Sequence, residues 1–185
     1  MDKRTILVIR SVEILLCNSS VKVCFGWEAD IAAGTKRVDG SGMEAQFTID
    51  PQTGNLGVGD VRLRPLQSKL EVEPQVAQLV KGSRDHGNGF EWLYLTGLIF
   101  GGQPASVGLC FHLGRLEQAS WSVQLPDAPM DGGWPTREAI DREVAFVRDA
   151  LARDGLNAKL DWGEVWSSFD PKGFMASNGL RYRTS

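Results

Sequence analysis

Phe90-Glu-Trp-Leu-Tyr-Leu-Thr-Gly-Leu-Ile-Phe-Gly-Gly-Gln-Pro-Ala-Ser-Val-Gly-Leu-Cys-Phe-His-Leu-Gly-Arg-Leu-Glu-Gln-Ala-Ser-Trp-Ser-Val-Gln124 reads as three strands in close succession. The apolar positions recur with a period near two: Phe90, Trp92 and Tyr94, then Leu98 and Phe100; Val107, Leu109, Phe111 and Leu113; Leu116, then Trp121 and Val123. Alternation of this kind places one set of side chains on one face of a sheet. The joins are short, Gly101-Gly-Gln-Pro104 and Gly114. Short joins turn hairpins, because parallel neighbours need a crossover of about a dozen residues or more. The spacing therefore predicts antiparallel strands at 90–100, 105–113 and 115–124.

Downstream, Leu125-Pro-Asp-Ala-Pro-Met-Asp-Gly-Gly133 breaks the sheet and leads to a helix at about 135–153. Pro135 sits at its first turn, and Ile140, Val144, Val147 and Leu151 form one apolar stripe, widened by Phe146 and Ala150. Arg137, Asp141, Arg142, Arg148 and Asp149 occupy the opposite face, with Arg137/Asp141, Glu138/Arg142 and Asp149/Arg153 at the spacing that pairs charges on a helix. Gly155 ends it. The last residues, from Trp162 to Ser185, hold two Trp, two Phe and one Tyr around Asp170-Pro-Lys-Gly173, which predicts a closing hairpin of 164–169 and 174–183.

Upstream, Phe47 and Ile49 alternate, Asp50-Pro-Gln-Thr-Gly54 turns the chain, and Leu56, Val58, Val61 and Leu63 form the returning run. Pro74, Val76, Leu79 and Val80, followed by Gly82, predict a short helix that starts at proline and stops at glycine, and Ser83–Gly89 has the composition of a loop. The expected fold is α+β: an antiparallel meander sheet, one long amphipathic helix packed on one face, and a C-terminal β-hairpin. A half-open barrel or a two-layer sandwich stands as the alternative. Residues 1–42 differ in character, with strand-like runs at 5–16 and 21–25 and a polar, Gly-rich linker at 32–42. Met43 is read as the true start or as the first residue of a single domain at 43–185, against the alternative that the leader supplies strands to the sheet.

With 185 residues, 42% hydrophobic and 23% charged, the chain fits one globular domain. Its 20 basic and 23 acidic residues give a net charge of -3, without the basic field that neutralises nucleic-acid phosphates. Cys17, Cys24 and Cys110 are odd in number and widely spaced, which reads as free thiols in a reducing compartment. The apolar run Ile6–Ile9 is too short for a signal peptide or membrane span. The expectation is a cytoplasmic protein with no nucleic-acid or membrane partner.

Motifs that carry chemistry are weak. His86 and His112 have no ligand at metal spacing, and neither Ser41 nor Ser106 lies in a Gly-x-Ser-x-Gly elbow. Gly54-Asn-Leu-Gly-Val-Gly59 lacks the Lys-Ser/Thr and the helix of a phosphate loop. No catalytic, cofactor or metal residue is assigned. Asp161, Glu164 and Asp170 near Trp162 and Trp166 have the make-up of a glycan-binding or hydrolytic site. Packing and a turn explain the same residues.

Lys172, Arg181 and Arg183 give the closing hairpin a basic side, so Trp162, Trp166, Lys172, Arg181 and Arg183 form the candidate interaction surface for an acidic protein partner. The strings Phe47–Leu56, Gly108–Leu116 and Trp162–Gly173 resemble those of small uncharacterised proteins of Gram-negative bacteria, over about residues 43–183. That resemblance implies an α+β fold, a bacterial origin and a cytoplasmic life, and no activity. The functional expectation is a non-enzymatic protein-binding factor of inhibitor, immunity or accessory type, with a small-molecule or glycan binder as the alternative.

Overall fold

The computed structural model describes residues 45–156 and 159–184. The leader at 1–42, with its expected strands, linker, Cys17 and Cys24, lies outside them. In chain order the elements are β1 (Ala45–Ile49), β2 (Leu56–Val58), β3 (Val61–Leu63), α1 (Lys69–Val76), β4 (Val80–Asp85), β5 (Phe90–Phe100), β6 (Gln103–His112) and β7 (Arg115–Val123). They are followed by β8 (Met130–Asp131), β9 (Trp134–Pro135), α2 (Arg137–Arg153), β10 (Lys159–Leu160), β11 (Gly163–Asp170) and β12 (Met175–Tyr182).

The expected α+β class is overturned. Strand makes up 51% of the structure and helix 20%, with two short helices beside a ten-stranded mixed sheet rather than one long helix on a meander. The strand order is β10-β11-β12-β7-β6-β5-β1-β2-β3, with β4 also on β5. Successive strands pair antiparallel in three runs, β1-β2-β3, β4-β5-β6-β7 and β10-β11-β12, which are joined out of chain order. Beside β7 lies β12 from the end of the chain, and β1 pairs with β5 in parallel. Hydrophobic period reports the face a side chain occupies and not the strand lying beside it, so neither partnership was readable from alternation.

A bulge lets β5 serve two neighbours along one edge. Its register shifts between Leu95 and Leu98, where Gly97 adopts φ 75°. Before the bulge, Glu91–Leu95 pair with β4; beyond it, Leu98 and Ile99 pair with β1. Extra residues of this kind bend and twist a strand. The sheet curls enough for its two halves to meet: the Trp162 indole N–H donates to the Pro51 carbonyl at 3.0 Å and the Tyr182 hydroxyl to the Gly54 carbonyl at 2.8 Å. Gly54, at φ 72°, leaves the space the Trp162 ring fills, since a Cβ there would lie 2.5 Å from that ring.

One face of the curled sheet forms the core. Leu93, Leu95, Leu98 and Phe100 of β5, Val107, Leu109 and Phe111 of β6, and Leu116, Trp121 and Val123 of β7 are buried together with Val165, Leu180 and Tyr182. The Phe47 ring packs at a tilt, 6.0 Å from that of Phe100 and 5.6 Å from that of Trp121, tying β1 to the meander. Helix α2 adds Val147, Ala150 and Leu151 to this core. It starts one residue beyond Thr136, whose hydroxyl accepts from the Ala139 N–H, while Pro135 belongs to the β8–β9 ladder that precedes it.

Two local expectations are also corrected. The upstream helix begins after Ser68, whose side chain caps Glu71, and carries Pro74 inside it, whereas Val80–Asp85 are strand β4 and only the residues just beyond form the loop. Pairing with β5 holds this polar stretch extended despite its loop-like composition. The returning run 56–63 is itself a hairpin, β2 against β3, closed at Gly59, which has φ 59°.

Candidate functional site

The five residues expected to form one interaction surface separate. Trp162 is engaged with Pro51, Gly54 and Tyr182, its ring 5.8 Å from that of Tyr182. It seals the curl of the sheet, which removes it from a ligand platform. Lys172 lies in the β11–β12 turn, where the Asp170 carboxylate accepts from the Lys172 N–H at 3.0 Å. Arg181 and Arg183 lie at the other end of the same hairpin, roughly 25 Å away along eight-residue strands.

At that far end the register builds a charged row. Lys159 of β10 lies opposite Glu164 of β11, Glu164 opposite Arg181 of β12, and Arg181 opposite Gln118 of β7. A cleft of about 410 Å³ is lined by Lys159, Glu164, Arg181 and Arg183 with Gly163, Tyr182 and Thr184. The cations are loosely held: Arg181 is 3.9 Å from Glu164, and Arg183 reaches the Leu160 carbonyl at 3.4 Å. Trp166 borders the row, with the Arg181 guanidinium 5.9 Å from its ring and its own N–H donated to the Ser177 hydroxyl. The Trp166 indole leans over Gly179, where a Cβ would collide with it.

Another cleft, of about 490 Å³, lies beside the β1–β2 hairpin and includes Asp50, Gln52, Asn55 and Arg62. Its carboxylate is engaged locally. Asp50 accepts from the Gln52 and Thr53 N–H groups, and these bonds lower its pKa.

His112, Glu117 and Cys110 bring three reactive side-chain types to one region of β6 and β7. His112 Nδ1 is 3.2 Å from Glu117, which occupies the β7 bulge, and its ring stacks on Phe90 at 4.3 Å. Burial, helped by the Glu117 charge, pushes the Cys110 thiol up to about 12. A thiol so held carries almost no thiolate at neutral pH and is a poor nucleophile. Among the described residues no group of three or more His, Cys, Asp or Glu converges as a metal site.

Glu143 escaped the sequence reading. It lies on the buried side of α2, where its Oε1 accepts from the Val123 N–H and from Asn178 Nδ2, both at 2.9 Å. Buried Asn178 also donates to the Trp121 carbonyl, and its Oδ1 accepts from the Ser167 hydroxyl at 2.7 Å. Burial raises the Glu143 pKa against the opposing pull of these two donors. The network pins α2 to β7, β11 and β12. Its signal was present in the sequence: Glu143 falls three residues after Ile140 and just before Val144, within the apolar stripe.

No protein-family model, curated protein or solved structure matches the chain. Among the described residues no helix is long and apolar enough to cross a membrane.

Proposed function

We propose that the protein is a non-enzymatic, cytoplasmic binding factor, of inhibitor, immunity or accessory type, that holds an acidic segment of another protein in the cleft between β10 and β12. One observation carries this reading: Lys159, Arg181 and Arg183 line one cleft against a single carboxylate, Glu164. Loosely engaged cations at a surface attract and orient an acidic partner and set its rate of association. Trp166, adjoining the row and half-buried, supplies the kind of aromatic edge common in interfaces. The cytoplasmic assignment rests on the odd cysteine count.

Reversing the charge tests the proposal. Immobilised full-length protein is expected to retain a specific partner from native lysate, released by moderate salt and lost with Arg181→Glu/Arg183→Glu. Both side chains are exposed, so this variant is expected to keep its melting temperature. A partner held equally by both proteins, or insensitive to salt, refutes the assignment of this cleft.

A further inference from the structure

The outward face of the β1–β3 run carries a polar trough. Phe47, Ile49, Leu56, Val58 and Leu63 turn inward to the core, so alternation turns Thr48, Gly57 and Arg62 outward. Register sets these three side by side, Thr48 opposite Gly57 and Gly57 opposite Arg62. Glycine weakens a strand and often marks a place of close approach. Gly57 lies outside the left-handed region, so space and not backbone conformation calls for it: a Cβ there would collide with Thr48 Oγ1. The Thr48 and Arg62 backbones consequently stand about 10 Å apart, two strand spacings, across a floor with no side chain.

The β1–β2 turn brings Asp50, Gln52 and Asn55 to the same cleft, whose volume of about 490 Å³ suits a small molecule. Asp50 Oδ1 takes both turn amides, from Gln52 and Thr53, which leaves Oδ2 without a bond among the described residues. The Thr53 and Gln52 amide bonds foremost, helped by the Arg62 charge, hold the Asp50 pKa below its ordinary value, so the carboxylate is ionised at neutral pH. Among the described residues Arg62 makes no ion pair, and the Thr48, Gln52 and Asn55 side chains have no hydrogen-bond partner. The turn is braced from the other half of the sheet, by Trp162 on the Pro51 carbonyl and Tyr182 on the Gly54 carbonyl. The cleft is thus held in shape, with little left to order on binding.

We propose that this cleft binds a free α-amino acid with a polar side chain, its carboxylate on Arg62 and its ammonium on Asp50 Oδ2. The two opposite charges choose the class. Arg62 alone would admit any small anion and Asp50 alone any small cation, whereas a ligand carrying both charges leaves neither unpaired. A guanidinium takes a carboxylate through two parallel N–H bonds. The Thr48 hydroxyl and the Gln52 and Asn55 amides each both donate and accept, which fits a polar side chain. Only Ile49 and Pro51 among the lining residues are apolar, too little to favour a hydrophobic one. This cleft shares no lining residue with the one between β10 and β12.

Calorimetric titration of the full chain with L-serine, L-threonine, L-asparagine, L-glutamine, L-aspartate and L-glutamate tests the assignment. At least one is expected to bind with a dissociation constant of about 1 mM or tighter and to raise the melting temperature. Its N-acetyl form, lacking the ammonium, and its carboxamide, lacking the carboxylate, are each expected to bind about tenfold more weakly or worse. Asp50→Asn keeps an oxygen for the two turn amides while removing the charge, and Arg62→Gln removes the guanidinium. Both variants are expected to keep the fold, checked by circular dichroism, and to lose about tenfold in affinity. Arg181→Glu/Arg183→Glu is expected to bind the amino acid as the wild type does. Neither heat nor a melting shift with any of the six overturns the proposal. So does undiminished binding of the N-acetyl form or the carboxamide, undiminished binding by Asp50→Asn or Arg62→Gln, or binding of inorganic phosphate as tight as that of the amino acid.

Discussion

Phe47→Ala is expected to lower the free energy of unfolding by about 3–5 kcal/mol, the range for emptying a buried aromatic site. Phe47 is 1% exposed and lies within 6.0 Å, centroid to centroid, of both Phe100 and Trp121. It is the principal aromatic contact between β1 and the meander, since the parallel pairing itself covers only Ala45 with Leu98 and Gln46 with Ile99. Urea unfolding followed by tryptophan fluorescence measures the effect. A lower midpoint at unchanged slope is the expected result. A lower slope would show β1–β3 separating before the rest, and an unchanged midpoint would contradict the packing. Leu70→Ala, at a site 86% exposed, serves as the control with little effect.

Glu143→Ala is expected to cost about 2–6 kcal/mol, because it strands the Val123 N–H and one of the two Asn178 amide hydrogens, the other staying on the Trp121 carbonyl, at about 1–3 kcal/mol for each donor left buried without an acceptor. Glu143→Gln keeps the accepting oxygen and removes the charge. The folded protein holds the Glu143 proton above the ordinary value of 4.5, so its stabilising contribution is complete below that value and is lost as pH rises through the raised folded value. Glu143→Gln is accordingly expected to match the wild type near the ordinary value and to exceed it in stability above the folded one. Urea midpoints between about pH 4 and pH 8 read this difference directly. A wild type that gains on the Gln variant as pH rises would show that the two donors outweigh burial.

The sequence carried local information well and partnership poorly. Strand-forming alternation at 90–124, the Asp170–Gly173 turn and the apolar side of Arg137–Arg153 are properties of neighbouring residues, and each is visible in the structure. Which strands lie side by side depends on contacts across long stretches of chain: β12 pairs with β7 and β1 with β5, each across several intervening elements. The assumption that successive strands pair led directly to the α+β meander. The placement of the candidate surface depends on such contacts as well. Lys172, Arg181 and Arg183 share one hairpin in sequence, yet its length places Lys172 at one end and the arginines at the other. Lys159 joined the arginines through cross-strand register.

The edge of β11 shows what α2 does beyond filling the core. The Trp162 carbonyl accepts from the Arg183 N–H toward β12, so by alternation the Ser167 carbonyl points to the other side of the strand. There β10 covers only Gly163 and Glu164, and the Ser167 carbonyl instead accepts from Arg148 Nε at 2.9 Å. A foreign strand seeking to extend the sheet would have to displace a charged donor and move past the helix that carries it. Arg148 therefore acts as a guard against edge-to-edge aggregation, the hazard inherent in a sheet whose last strand is only two residues long.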